Sequence, residues 1–235
     1  MLALFFGIAL SGFLLLAAMR CFMAPVYDFL IVRMTAKWYL AVIKELANNA
    51  HLLDVGIGTA TALAKNATLL QSKKISVVGI DYEAAYIKRA KSVIQEAELE
   101  DLVSVHCKSV YDEQIGHLSG GGGAAAKQFT DAYFSGSLTL MPDPPAALRA
   151  VASLLRPGGR IYITQTFQNR PSPLAECVKP MLRWLTTIDF GAVTYHSQVT
   201  EIVKKAGLKI VHDQPIEGSI DTPWQTARMI VLCSL

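Results

Sequence analysis

The chain has 235 residues, 52% hydrophobic and 17% charged, and its 22 basic and 19 acidic side chains leave a formal charge of +3. So many apolar residues with so few charges exclude a disordered chain and suffice for the core of one α/β domain. The small charge excludes a nucleic-acid partner held through a clustered basic face, and a mean hydropathy of +0.34 leaves an apolar excess to be located.

Much of that excess stands at the front. Residues 2 to 19 read LALFFGIALSGFLLLAAM, with no charge before Arg20. A run of about 18 such residues is long enough for a transmembrane helix. No Lys or Arg precedes it, and Ala17-Ala18-Met19-Arg20 is a poor cleavage site. An uncleaved anchor over 1–20 is therefore preferred to a cleaved signal peptide or a helix buried against a partner. Arg20, Arg33, Lys37 and Lys44 all follow the run, which puts the remaining chain on the cytosolic (or matrix) side of the membrane. Residues 21–50 carry Tyr27-Asp28-Phe29-Leu30 and Lys37-Trp38-Tyr39-Leu40 with apolar positions three and four apart. That spacing predicts one or two amphipathic helices, lying at the membrane surface or packed on the domain they precede.

From 51 to 235 the pattern alternates. Strands are expected at His51–Gly56, Lys74–Asp81, Leu102–Cys107, Phe129–Phe134 and Arg160–Gln165. Between them, helices are expected from Thr59, a hydroxyl residue suited to an N-cap, to about Gln71, from Glu83 to Glu98 and from Ala146 to Leu155. The tail adds helices at Pro173–Leu185 and Ser197–Ala206, then strands at Leu208–Val211 and Thr226–Leu232. Such alternation implies a mostly parallel, doubly wound sheet whose final strand can pair antiparallel. Gly120–Gly123 and Ala124–Ala126 read as a loop insert. Cys21, Cys107, Cys177 and Cys233 form no C-x-x-C pair, which fits reduced thiols rather than a disulfide framework or a zinc site.

The chemistry concentrates in Leu53-Asp54-Val55-Gly56-Ile57-Gly58-Thr59-Ala60-Thr61, a glycine-rich turn between a strand and a helix. Glycine lets the backbone approach a ligand closely. A dinucleotide site would carry a third glycine where Thr61 stands. Asp81 ends the next strand, 25 residues beyond Gly56, where a carboxylate can accept from both ribose hydroxyls. Leu155-Arg156-Pro157-Gly158-Gly159-Arg160 then launches the fifth strand.

With these motifs the stretch from His51 to about Phe167 resembles the class I S-adenosylmethionine-dependent methyltransferases. Their signature is an LDVGxGTG-like loop, an acid closing the second strand and an LxPGG turn. The resemblance implies a Rossmann-like sheet of about seven strands, the last antiparallel, and S-adenosyl-L-methionine as cofactor. It implies that Gly56, Gly58 and Thr59 face the methionine part, with Asp54 orienting the loop and reaching the ligand's ammonium. Asp81 and Tyr82 would hold the ribose end. Ser109 and Val110 would line the adenine; many family members carry an acid near Ser109, whereas here Ser109 occupies that place, with Asp112 three residues on. Ser135-Gly136-Ser137 would bring backbone carbonyls to the methionine amino group. The structural alternatives are that Asp54 merely caps the turn, that Asp81 is a solvated strand end and that Ser135 is simple loop polarity.

No metal cluster, nucleophile elbow or P-loop is present in the sequence. His196 is the candidate base, because histidine titrates near neutrality; the alternative is that Tyr195-His196 caps the following helix. Tyr27, Tyr133 and Gln165 are candidate contacts, and His106 reads as packing. Pro25-Val26-Tyr27-Asp28 is similar to the opening of the quinone-biosynthesis C-methyltransferases. Together with the anchor, this leads us to expect a membrane-anchored methyltransferase acting on a small lipophilic acceptor, such as a quinone, lipid or sterol-like molecule. Segments around Tyr27–Tyr39 and Pro173–Trp184 would roof its pocket. The other readings are a non-catalytic subunit of a membrane complex and a protein methyltransferase.

Overall fold

Seven strands form one sheet in the order β3-β2-β1-β4-β5-β7-β6. They are β1 (His51–Val55), β2 (Ser76–Asp81), β3 (Val103–Cys107), β4 (Phe129–Ser135), β5 (Leu155–Gln168), β6 (Leu208–Pro215) and β7 (Gln225–Ser234). β1 to β5 pair in parallel, and β7 runs antiparallel to both β5 and β6. The computed structural model describes residues 31–119, 128–173, 176 and 193–234. The apolar run at 2–19, Tyr27, Cys21, Cys177, the Gly/Ala insert and nearly all of the helix expected at Pro173–Leu185 lie outside the described residues. The sheet belongs to a unit made of Met34–Arg170 and Thr194–Leu235. A second unit contains residues 31–33, 171–173, 176 and 193. Among the described residues no helix is long and apolar enough to cross a membrane.

The central strands read as continuous apolar runs because both of their faces are buried. Alternate residues serve two cores. Leu52, Val77, Tyr133, Tyr162 and Met229 face α1 (helical over 31–45), α2 (Thr61–Ala64), α3 (Ala67–Lys73) and α4 (Ala84–Glu96). Leu53, Val78, Phe134, Ile163 and Ile230 face α5 (Pro144–Ser153) and α6 (His196–Lys205). With β1 between β2 and β4, the strand order reverses beside β1. A crevice opens at such a switch point, at the carboxyl ends of the strands.

Three expectations are corrected. The single helix from Thr59 to Gln71 is two short ones. Asn66 Nδ2 donates to the carbonyls of Ala62 and Ala36 at 3.1 and 3.0 Å, and its own amide closes a tight turn onto Leu63. That side chain competes with the helical ladder and breaks it. The start is capped by no hydroxyl; Ala60 stands there in the left-handed region. The turn at Arg156-Pro157-Gly158-Gly159 lies inside β5 rather than ahead of it, since Leu155 already pairs with Phe129. The register slips between Phe129 and Asp131, and Gly158 takes φ +79°. β6 and β7 are also longer than expected, because their antiparallel pairing extends from Leu208↔Ser234 to Pro215↔Arg228.

Helix α5 begins two residues before its expected start, because Asp143 Oδ1 accepts from the Ala146 amide at 2.9 Å with prolines at the first helical positions. Asp143→Ala should lower unfolding stability by about 1 kcal/mol. A denaturant melt should show the midpoint reduced and the slope unchanged.

Candidate cofactor site

The loop after β1 folds back over the end of β2. Gly56 N–H donates to Ile80 O at 2.8 Å and Gly58 N–H to Asp81 Oδ2 at 3.0 Å. Both amides are therefore spent on holding the loop. Gly56 has φ +78°, and a Cβ there would lie 2.6 Å from Ser137 Cβ; Ser137 itself donates to Val55 O at 2.5 Å. Gly58 has φ +59° and open space where a Cβ would be. The loop thus leaves bare backbone facing open space at Gly58.

Asp81 accepts from Glu83 N–H through Oδ1 at 2.9 Å and from Gly58 N–H through Oδ2. Each carboxylate oxygen keeps a further lone pair, so two ribose hydroxyls could still be received. Burial raises its pKa, and the amides of Glu83 and Gly58 draw it back down.

Asp54 is fully buried at the end of β1. Its Oδ2 accepts from the Tyr39 hydroxyl at 2.7 Å, whereas Oδ1 is buried without a hydrogen-bond partner. Burial pushes this carboxyl up to about 7; the Tyr39 bond lowers it and Asp81 raises it. No salt bridge reaches either acid among the described residues. Two neighbouring acids without a cation, one with an oxygen left unpaired, suit a ligand carrying an ammonium and a sulfonium. S-adenosylmethionine fits this donor set: Asp54 would hold its amino end and Asp81 its ribose.

The remaining sequence candidates divide. Thr59 Oγ1 bonds Thr61 Oγ1 at 2.9 Å, at the loop's far end. Tyr82 stands beside Asp81 with its ring 80% exposed. Ser109 follows β3 and accepts from Tyr111 N–H at 3.3 Å. Val110 is packed in the core on the α5 side. Asp112 is tied to Lys108 at 2.6 Å, which holds its carboxyl below the usual range. Ser135 ends β4 beside Thr164, its Oγ buried and close to the Tyr133 hydroxyl. The buried, unpartnered Gln165 Oε1 lies 4.0 Å from where a Gly136 Cβ would be. Tyr133 is buried, its hydroxyl shared with Thr164 at 2.8 Å. His106 sits on edge strand β3 beside Ser104.

His196 is not brought together with these residues. It opens α6, edge-on to Phe167, with Nε2 2.5 Å from Asp213 Oδ2; Asp213 also pairs with Arg228. Phe167 belongs to the core on the opposite sheet face from Tyr39 and Asp54, and β4 separates β5 from β1. The capping alternative is the geometry observed: Gln198 Oε1 accepts from the Tyr195 amide at 2.9 Å, and the Gln198 amide donates to Tyr195 O at 3.1 Å.

Sequence reasoning placed Tyr39 at the end of a segment roofing the pocket but gave its side chain no contact, and the hydroxyl bond to Asp54 was missed. Tyr39 was read as part of an amphipathic stripe. The available signal was the hydroxyl itself, because a tyrosine on a buried face needs a polar partner.

A family model described as a methyltransferase domain matches residues 46–207. The chain is 23% identical over 172 residues to a phosphatidylethanolamine N-methyltransferase of Cereibacter sphaeroides, covering 72% of this chain and 75% of that protein. It is 28% identical over 148 residues to a demethylmenaquinone methyltransferase of Lactiplantibacillus plantarum, covering 61% of this chain and 54% of that one. The chain thus spans about half the length of the second relative. A solved S-adenosylmethionine-dependent methyltransferase from Geobacter sulfurreducens, in complex with S-adenosyl-L-homocysteine, superposes with a TM-score of 0.55 at 15% identity, covering 85% and 90% of the two chains. At that identity it shows a shared fold.

Proposed function

This chain belongs to the methyltransferase-domain family and is an S-adenosylmethionine-dependent methyltransferase, and from that premise we propose that its acceptor is a small lipophilic molecule met at a membrane. In this reading residues 1–20 are the anchor, and the catalytic domain lies on the cytosolic (or matrix) side. The acceptor is a quinone, lipid or sterol-like compound. The unpaired, fully buried Asp54 Oδ1 carries the cofactor end of the reading. The acceptor end is supported by two relatives whose names specify a phospholipid and a menaquinone precursor, and by the uncharged run ahead of Arg20.

When bound, the cofactor supplies an electrophilic methyl group on a sulfonium. That methyl would pass to the acceptor's nucleophile by displacement, the electron pair of the broken carbon–sulfur bond staying on the cofactor's sulfur. A protic acceptor would give up its proton to bulk solvent outside the water-excluding site. The protein's task is positioning and exclusion of water rather than covalent participation. Asp54 and Asp81 hold the two ends of the cofactor, and the bare loop at Gly58 allows close approach. The ends of β4 and β5 present Ser135, Gly136 and Gln165 beside it.

The test is transfer of a labelled methyl group from S-adenosylmethionine into a membrane lipid extract, followed by phase partition. Label in the organic phase is expected; label recovered only in protein would overturn the lipophilic acceptor. Carbonate extraction of the full chain from membranes should leave it in the pellet, and its release would remove the anchor.

A further inference from the structure

We infer that Tyr39 is a positioning residue of the cofactor site: its hydroxyl occupies one oxygen of Asp54 and reserves the other for the cofactor's ammonium, making α1 part of that site. The inference rests on the cofactor reading above and adds a residue from outside the loop motifs. Tyr39 and Asp54 are both buried, 15 residues apart in sequence, with the hydroxyl 2.7 Å from Oδ2. The Tyr39 ring meets Tyr133 edge-on, with centroids 5.0 Å apart and an interplanar angle of 89°. Burial pushes the hydroxyl's ionisation well up, so it remains a donor.

The helix behind it is held on several sides. Trp38 Nε1 donates to Ser219 Oγ at 3.0 Å, and the Trp38 ring lies over Gly136. Lys37 Nζ donates to Gly218 O. Asn66 donates to Ala36 O, and Lys73 Nζ donates to the carbonyls of Ile43, Lys44 and Leu46 at the helix's end. Tyr39 therefore cannot follow Asp54 if that side chain turns; it fixes it.

The groups facing Asp54 are Tyr39 from α1, Asp81 from the end of β2 and Tyr133 from β4. With its midpoint near 7, the free carboxyl is partly protonated at neutral pH. An ammonium beside it favours the ionised form, so the complex holds fewer protons than the free protein. Affinity must then rise with pH through this range, with proton release on binding. Removing the Tyr39 donor takes away the bond that lowers the Asp54 midpoint, which moves the rising limb to higher pH.

Calorimetric titration with S-adenosylhomocysteine from about pH 5.5 to 8, in buffers of differing ionisation enthalpy, reads both quantities. Tyr39→Phe keeps the ring against Tyr133. It should bind on the order of tenfold more weakly at neutral pH, with its limb displaced upward. Asp54→Asn should lose the limb and the proton release, and it carries the test if Tyr39→Phe fails to fold. A Tyr39→Phe limb in the wild-type position, at equal or uniformly reduced affinity, would overturn the inference. So would an Asp54→Asn protein that keeps the limb. Absence of binding by the wild type would remove the cofactor reading and this inference together, whereas binding with an unmoved profile removes only this one.

Discussion

Asp81→Ala is expected to weaken S-adenosylhomocysteine binding on the order of a hundredfold or more, because it removes two kinds of contact at once. The carboxylate receives the Gly58 and Glu83 amides, which fix the loop after β1 against the end of β2. In the proposed cofactor site it would also present the remaining lone pairs to the ribose. A hydrogen bond to a charged group contributes roughly 1.5–3 kcal/mol, and two lost together reach the stated factor. Asp81→Asn retains one acceptor oxygen and should fall between. Calorimetry on the folded variants reads this directly. Binding within about threefold of wild type by Asp81→Ala would show that the ribose is held elsewhere.

Gly56→Ala should have the largest effect on stability. Alanine at φ +78° costs about 1–2 kcal/mol. The new Cβ would also stand 2.6 Å from Ser137 Cβ, and Ser137 is buried and bonded to Val55 O. One backbone must shift, which puts the total at roughly 2–4 kcal/mol. Gly58→Ala is the informative contrast. It meets the left-handed cost alone, since nothing stands within 4 Å of its Cβ, but the added methyl enters the space kept for the ligand. Denaturant melts should therefore separate the two variants, while both lose affinity. Equal stability of Gly56→Ala and wild type would contradict the packing described between the loop and Ser137.

Where neighbours in sequence decide the geometry, the chain is readable directly. The runs Val77–Ile80 and Ile161–Ile163 are apolar on both faces, and Leu52–Val55 is interrupted only by Asp54; all three read as interior strands, and they are. The glycine loop at Gly56 and Gly58 and the acid closing β2 at Asp81 were readable as geometry because a tight strand-to-helix loop and a strand end are local features. Asn66 breaking a helix was not readable, since one of its partners is a carbonyl 30 residues away in α1. The start of β5 was hidden for a related reason: Pro157-Gly158-Gly159 has turn chemistry, and only the bulged pairing with Phe129 and Asp131 recruits it into the sheet. His196 has the chemistry of a base, yet its ring is engaged by Asp213 from a strand met later in the chain. Tyr39 is the converse case, an apolar-face residue whose hydroxyl acquires meaning only when α1 packs over the end of β1.

A crystal structure of the protein soaked with S-adenosylhomocysteine is the most direct examination of the site. The amino group of the ligand should lie about 3 Å from Asp54 Oδ1, with the ribose hydroxyls on Asp81 and the backbone at Gly58 in contact. A ligand seated elsewhere, or a crevice between β1, β2 and β4 that stays closed at saturating ligand, would contradict the assignment of these residues to the cofactor.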